Sequence, residues 1–200
     1  MESGFEQSVR DCFRDKVTLP WFEISLYQNL SEKFIEDFSD YVNWEAISWR
    51  SELSESFIEK FADKVDWKGI SYHQRLFESF IEKYADKVTW PFIWRYQKYS
   101  EAFIERHIEQ ADWSLICAYS KLSESFIEKY SDKIDWRKAS MFQTLSESFI
   151  EKYADKVDWD KISSWQNLSL SFIKKHLDKL DKRNILSCQN LPKSFLESIK

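Results

Sequence analysis

The feature that most restricts this chain is a period of 23 residues that recurs in register along nearly its whole length. The unit reads LSESFIEKYADKVDWDKISSWQN from Leu145 to Asn167, and units of the same pattern begin at Leu30, Leu53, Leu76, Tyr99, Leu122 and Leu168. No gap or insertion separates them. A strict period of a few tens of residues marks a solenoid, in which each unit buries its apolar face only against its neighbours. One elongated domain is therefore expected. It divides into a degenerate N-terminal cap repeat at 1–29, seven tandem repeats at 30–190 and a C-terminal half-repeat cap at 191–200. In the cap, Trp21, Ile24, Ser25 and Gln28 match the second half of the repeat, and Val9 and Phe13 follow the first half loosely.

The repeat from Leu53 to Arg75 shows why the units should be helical. Ser54 has the side chain of an N-cap, and Leu53 with Ile58 has the spacing of a hydrophobic staple. Phe57, Ile58, Phe61 and Val65 then fall on one side of a helix, while Glu59 and Asp63 point away. The pattern restarts at Asp66, followed by Trp67 and Ile70 on the core side. In successive repeats this second cap position reads Asn43, Asp66, Thr89, Asp112, Asp135, Asp158 and Asp181, all residue types that cap helices. Each repeat should be a helix of about ten residues and a shorter second helix of about seven, the latter possible as a 3₁₀ helix. The expected fold is an all-α solenoid of two-helix repeats, with the repeated Trp as a ladder through its core.

Composition excludes several classes of function. A net charge of −5 supplies no overall attraction to nucleic acid or anionic membrane. Two glycines and three prolines leave no room for flexible linkers or phosphate-cradling loops. Cys12, Cys117 and Cys188 stand at unrelated repeat positions, which fits a reduced, cytoplasmic protein rather than a disulfide framework. The first residues, MESGFEQSVRDCFRDK, lack the basic and apolar runs of a secretory signal. No stretch approaches the roughly 20 apolar residues of a membrane span.

The LSExFIEK…DKVDWxxIS…Q units resemble tandem repeats in uncharacterised proteins of large DNA viruses and bacteriophages, over residues 30–200. The resemblance implies an all-α repeat fold and a viral setting, with the host cytoplasm as the location, and it brings no catalytic residues. In architecture the unit is also similar to leucine-rich variant repeats. It departs from those by its Trp and by lacking their cysteine-rich start.

Chemistry-bearing residues do not converge. His107 and His176 occupy the place of Phe38, Phe61, Tyr84, Tyr130 and Tyr153, three repeats apart, and read as substituted core aromatics. Glu36, Glu59, Glu82, Glu105, Glu128 and Glu151 form a column, as do Asp40, Asp63, Asp86, Glu109, Asp132 and Asp155 four residues further on. With Lys60, Lys64, Lys83 and Lys87 beside them, these columns read as a solvated outer face. The repeated Gln should bond backbone at the junction between units. No nucleophile–base pair, metal cluster or phosphate loop can be assembled.

Positions where the repeats disagree are more informative. The places one, two and five residues after the Trp should face away from the core. Five after, the chain reads Leu26, Trp49, Tyr72, Arg95, Ala118, Met141, Ser164 and Ser187; two after, it includes Phe92 and Leu115. His73 lies beside Tyr72, and Trp94 stands where other repeats carry Ser, with Pro91 opening the same helix. Trp49, Tyr72, His73, Phe92, Trp94, Arg95, Leu115 and Met141 are the candidate partner-binding residues, because aromatics with Arg are what interface hot spots are made of. The expected function is a non-enzymatic binding solenoid with a protein partner, without catalytic residues, metal or cofactor, and without a membrane. The viral resemblance suggests an inhibitor of a host defence complex, of the anti-CRISPR type. The alternative is a helical-repeat binder of single-stranded RNA.

Overall fold

A computed structural model describes residues 4–14, 18–27, 30–50, 52–189, 191–192 and 195. Gln28 of the N-terminal cap, and the half-repeat cap at 191–200 apart from Leu191, Pro192 and Phe195, lie outside the described residues. Every regular element among the described residues is a helix. The chain forms two compact units, Met1–Tyr99 and Ser100–Lys200. The first holds the cap with repeats one to three, and the second holds repeats four to seven.

In the first unit, the repeat from Leu53 has a first helix Glu55–Lys60 and a second helix Trp67–His73. Ser54 Oγ accepts from the Phe57 N–H at 3.2 Å, and the Asp66 carboxylate accepts from the N–H groups of Lys68 and Gly69. Both caps are where the sequence placed them. The first helix is shorter than expected. It stops after six residues because Phe61, at φ −115° and ψ 29°, leaves the helical region. That exit carries the Phe61 ring onto Trp44 of the preceding repeat, centroids 4.8 Å apart. Residues up to Val65 complete the connection with single-turn bonds from Lys64 and Val65 N–H to the Phe61 carbonyl.

The second helices are seven-residue α-helices and not 3₁₀. A 3₁₀ helix does occur, at Ile108–Gln110, after the first helix of the fourth repeat. Second helices of neighbouring repeats lie side by side. Within the first unit Trp21–Ser25, Trp44–Arg50, Trp67–His73 and Trp90–Tyr96 pack in that order.

Leu53, Phe57, Ile58, Val65 and Ile70, and their counterparts, make the buried core. The Trp column is not inside it. Trp44 and Trp67 are half-buried at the seam between repeats, each indole N–H held by a carbonyl of its own repeat, Ser39 at 2.9 Å and Ala62 at 2.9 Å. Lys64 and Lys87 of the following repeats lie over these rings at 6.0 and 5.9 Å. The ladder expectation holds for the order of the rings and fails for their depth, because the indole edge must reach a loop carbonyl.

Polar side chains tie each repeat to the one before it. Ser48 Oγ donates to its own helix at Trp44 O and accepts the Asp66 N–H at 2.9 Å, so one hydroxyl spans two repeats. Gln97 Oε1 accepts the Leu76 N–H at 3.0 Å, while its amide donates to Ser71 O at 3.0 Å and Gln74 O at 2.7 Å of the preceding repeat. Glu32 accepts the N–H of Ser54, the cap residue of the next first helix. Buried polar groups need such partners, and in each of these links the partner is main chain.

The second unit repeats these rules. Gln143 and Gln166 bond Leu122 N–H and Leu145 N–H at 2.9 and 3.0 Å. Trp136 meets Tyr153 at 5.0 Å, and Trp159 meets His176 at 5.4 Å. Its second helices Trp113–Tyr119, Trp136–Phe142, Trp159–Trp165 and Lys182–Cys188 pack in sequence order.

Candidate interaction surface

Glutamates of the first helices pair with lysines of the following repeat. Lys60 pairs with Glu36, Lys83 with Glu59, Lys129 with Glu105 and Lys152 with Glu128, each pair joining neighbouring repeats. Hydrogen bonds from His176 and Lys175 hold the Glu151 carboxyl below its ordinary range. His176 therefore replaces a core aromatic and adds a hydrogen-bond partner for Glu151, with its ring 4.6 Å from Phe172. Among the described residues no group of three His, Cys, Asp or Glu is placed to hold a metal ion. Burial pushes the Cys117 thiol up to about 11, the opposite of an activated nucleophile. No helix among the described residues is long and apolar enough to cross a membrane.

The second helices of the first unit present a connected aromatic surface. Tyr72 lies 5.3 Å from Trp49, 5.5 Å from Phe92 and 4.4 Å from Tyr96. The Arg95 guanidinium sits 5.2 Å over the Tyr96 ring. Trp49, Tyr72, Phe92 and Arg95 of the candidate set thus lie together, joined by Tyr96, which the sequence reading left out. The reason lies in helix length. Tyr96 is six residues after the Trp, a position flanking the core in a long helix, but the helix ends there and the side chain opens to solvent.

Two members change character. Trp94 is buried, only 1% exposed, stacked 5.2 Å from Trp90 and edge-on to Tyr99, whose hydroxyl donates to Trp94 O at 2.8 Å. It leaves the interaction set, because it fills the inward place of the linking Ser. Trp49 is half-buried, and its indole donates to the Asp66 cap at 2.6 Å. It rests on Gly69, where an added Cβ would come within 2.8 Å of Trp49 Cδ1. The position two after the Trp is therefore a seam between second helices, not an outward face. Phe92 and Leu115 are half-buried there, and Ala46 and Gly69 are buried. His73 is exposed at the end of its helix.

Beside this patch, a groove of about 850 Å³ lies between Arg75–Ser79 and Tyr96–Lys98. Phe77 stands on its wall, 74% exposed. It occupies the N-cap position that is Ser31 or Ser54 in earlier repeats, and the helix Glu78–Lys83 consequently has no side-chain cap. Arg75 and Lys98 are exposed at the same groove, and neither has an ion pair or hydrogen bond to its side chain among the described residues.

In the second unit the exposed aromatics are Tyr119, Phe142 and Trp165, the last residues of three consecutive second helices. Phe142 and Trp165 lie 6.4 Å apart, with Lys138 over Phe142 at 5.7 Å. Leu115 and Met141, expected at the surface here, are half-buried. The sequence signal for the missed column was present: the position before the Gln, or before the Ser120 that replaces it, is aromatic in these repeats. The chain matches no protein-family model, and no curated protein or solved structure compared with it is significantly similar.

Proposed function

We propose that the chain is a non-enzymatic binding scaffold that recognises a protein partner through the exposed ends of its second helices. The observation that carries this reading is the connected patch of Trp49, Tyr72, Phe92 and Tyr96 with Arg95 on it. Aromatic and Arg side chains dominate the energetics of protein interfaces, and the repeat's own packing does not require Tyr72 or Arg95 where they stand. In the form suggested by the resemblance to viral and phage repeats, the partner is a component of a host defence complex and binding inhibits it.

The test is the pair Tyr72→Ser with Arg95→Ala, residue types found at that position in other repeats. Unfolding free energy should stay within about 1 kcal/mol of the parent, as for surface changes. Affinity for a protein captured from host extract after nuclease treatment should fall by about 2 kcal/mol or more. Lys161→Ala with Asn184→Ala is the control, at polar seam positions of the last two full repeats. Equal losses from both pairs, or none from either, would place the binding surface elsewhere.

A further inference from the structure

We infer that the groove between Arg75–Ser79 and Tyr96–Lys98 binds an acidic peptide segment that carries an apolar side chain. The inference rests on the protein-binding reading above and names the chemistry of the partner.

Phe77 is the starting point. A Ser at this place caps the first helix in neighbouring repeats, as Ser54 does through the Phe57 N–H. Phe77 forgoes that cap and leaves most of its ring in water. Both effects oppose folding. The main-chain link of the position is nevertheless kept, since the Phe77 N–H still donates to Glu55 at 2.6 Å. The side chain was therefore changed without changing the frame that holds it, as expected of a residue held for contact with something outside the chain. Tyr96, 41% exposed, faces the same groove, so two aromatic walls are offered to an apolar group.

Charge supplies the rest. The first-helix lysines are engaged by glutamates of adjacent repeats, whereas Arg75 and Lys98 at the groove are not. A chain of net charge −5 that leaves two cations unengaged beside two exposed aromatics presents a local basic, apolar site. Its complement is a carboxylate-bearing segment with one aliphatic or aromatic residue. An RNA strand fits less well. Base stacking along a strand needs successive open ring faces, but of the two rings at the groove Arg95 covers Tyr96, which leaves Phe77 alone.

The experiment is selection of a display library of random 12-residue peptides on the full chain, with counter-selection on Arg75→Ala/Phe77→Ser/Lys98→Ala. Labelled 12-nucleotide oligouridylate is titrated in parallel. Selected peptides should carry Asp or Glu on either side of an aliphatic or aromatic residue. Their affinity should fall on the order of tenfold or more with Phe77→Ser alone, and weaken as salt rises. Phe77→Ser should at the same time hold or raise the Tm, because it restores a cap; a merely structural phenylalanine would lower it. Selected peptides without acidic enrichment, or equal binding to the triple variant, would overturn the inference. Oligouridylate binding lost in the same variant would overturn it in favour of RNA. If no peptide is selected while Tyr72→Ser/Arg95→Ala still loses its captured protein, the groove is not the site and the broader reading stands. If both fail, the broader reading falls too.

Discussion

Gly69 and Trp49 show how one position in the seam decides what the next repeat is allowed to display. A glycine inside a helix is ordinarily unfavourable by up to about 1 kcal/mol against alanine. Here the missing Cβ makes room for the indole of Trp49, which reaches across to the Asp66 carboxylate. Gly69→Ala should therefore destabilise, by about 1–3 kcal/mol, as overpacking does. In a Trp49→Ala background the same change should be milder by about 1 kcal/mol, a coupling that a double-mutant cycle in urea reads directly. Additive effects would mean that the ring does not rest on Gly69. Nothing in the pattern of residues pointed to this contact. Trp49 reads as an outward aromatic until the side-by-side packing of second helices is known, and that packing also turns Phe92 and Leu115 from outward into seam residues.

At the scale of the helix, order comes from caps and from links of fixed span. The Ser–Phe–Ile and Asp–Trp–Ile patterns were legible because capping and staple spacings are local. Where a first helix ends was not legible. Phe61 continues the apolar period, yet its backbone leaves the helix so that the ring meets Trp44 of the neighbouring repeat. The role of Gln was legible in kind, and the structure adds its partners. Gln166 joins Leu145 N–H, Ser140 O and Gln143 O, all buried or nearly so. Gln166→Ala should cost about 3 kcal/mol or more, because main-chain groups are left unsatisfied away from water. Lys152→Ala, which breaks the exposed pair with Glu128, should change the urea midpoint far less. The opposite ranking would mean that the ion-pair column, and not the amide, joins the repeats.

Over the whole molecule the charge columns set the response to acid. Asp37, Glu105 and Glu151 are held below their ordinary values, in each case first by a side-chain hydrogen bond from Lys33, Lys129 or His176. A carboxylate lowered in the folded state adds stability above its unfolded pKa of about 4, and that stability is lost as pH falls through the folded value. The unfolding midpoint should therefore fall below about pH 4 in dilute buffer, and raising the salt at neutral pH should weaken the same contribution. Chemical denaturation across pH at two ionic strengths checks this, and a midpoint that rises on acidification would refute it.

The Gln, Ser and Glu links have a consequence for how such a chain changes over generations. Each joins a residue to main chain of its own repeat or of an adjacent one, at separations that recur unchanged, such as 21, 23 and 26 residues for Gln166. A gene that gains or loses one whole unit therefore meets the same set of partners on both sides of the join. Copy number becomes a heritable variable independent of foldability, while the residues at the ends of the second helices can diversify unit by unit. Selection on such an array would act by shuffling, lengthening and editing units.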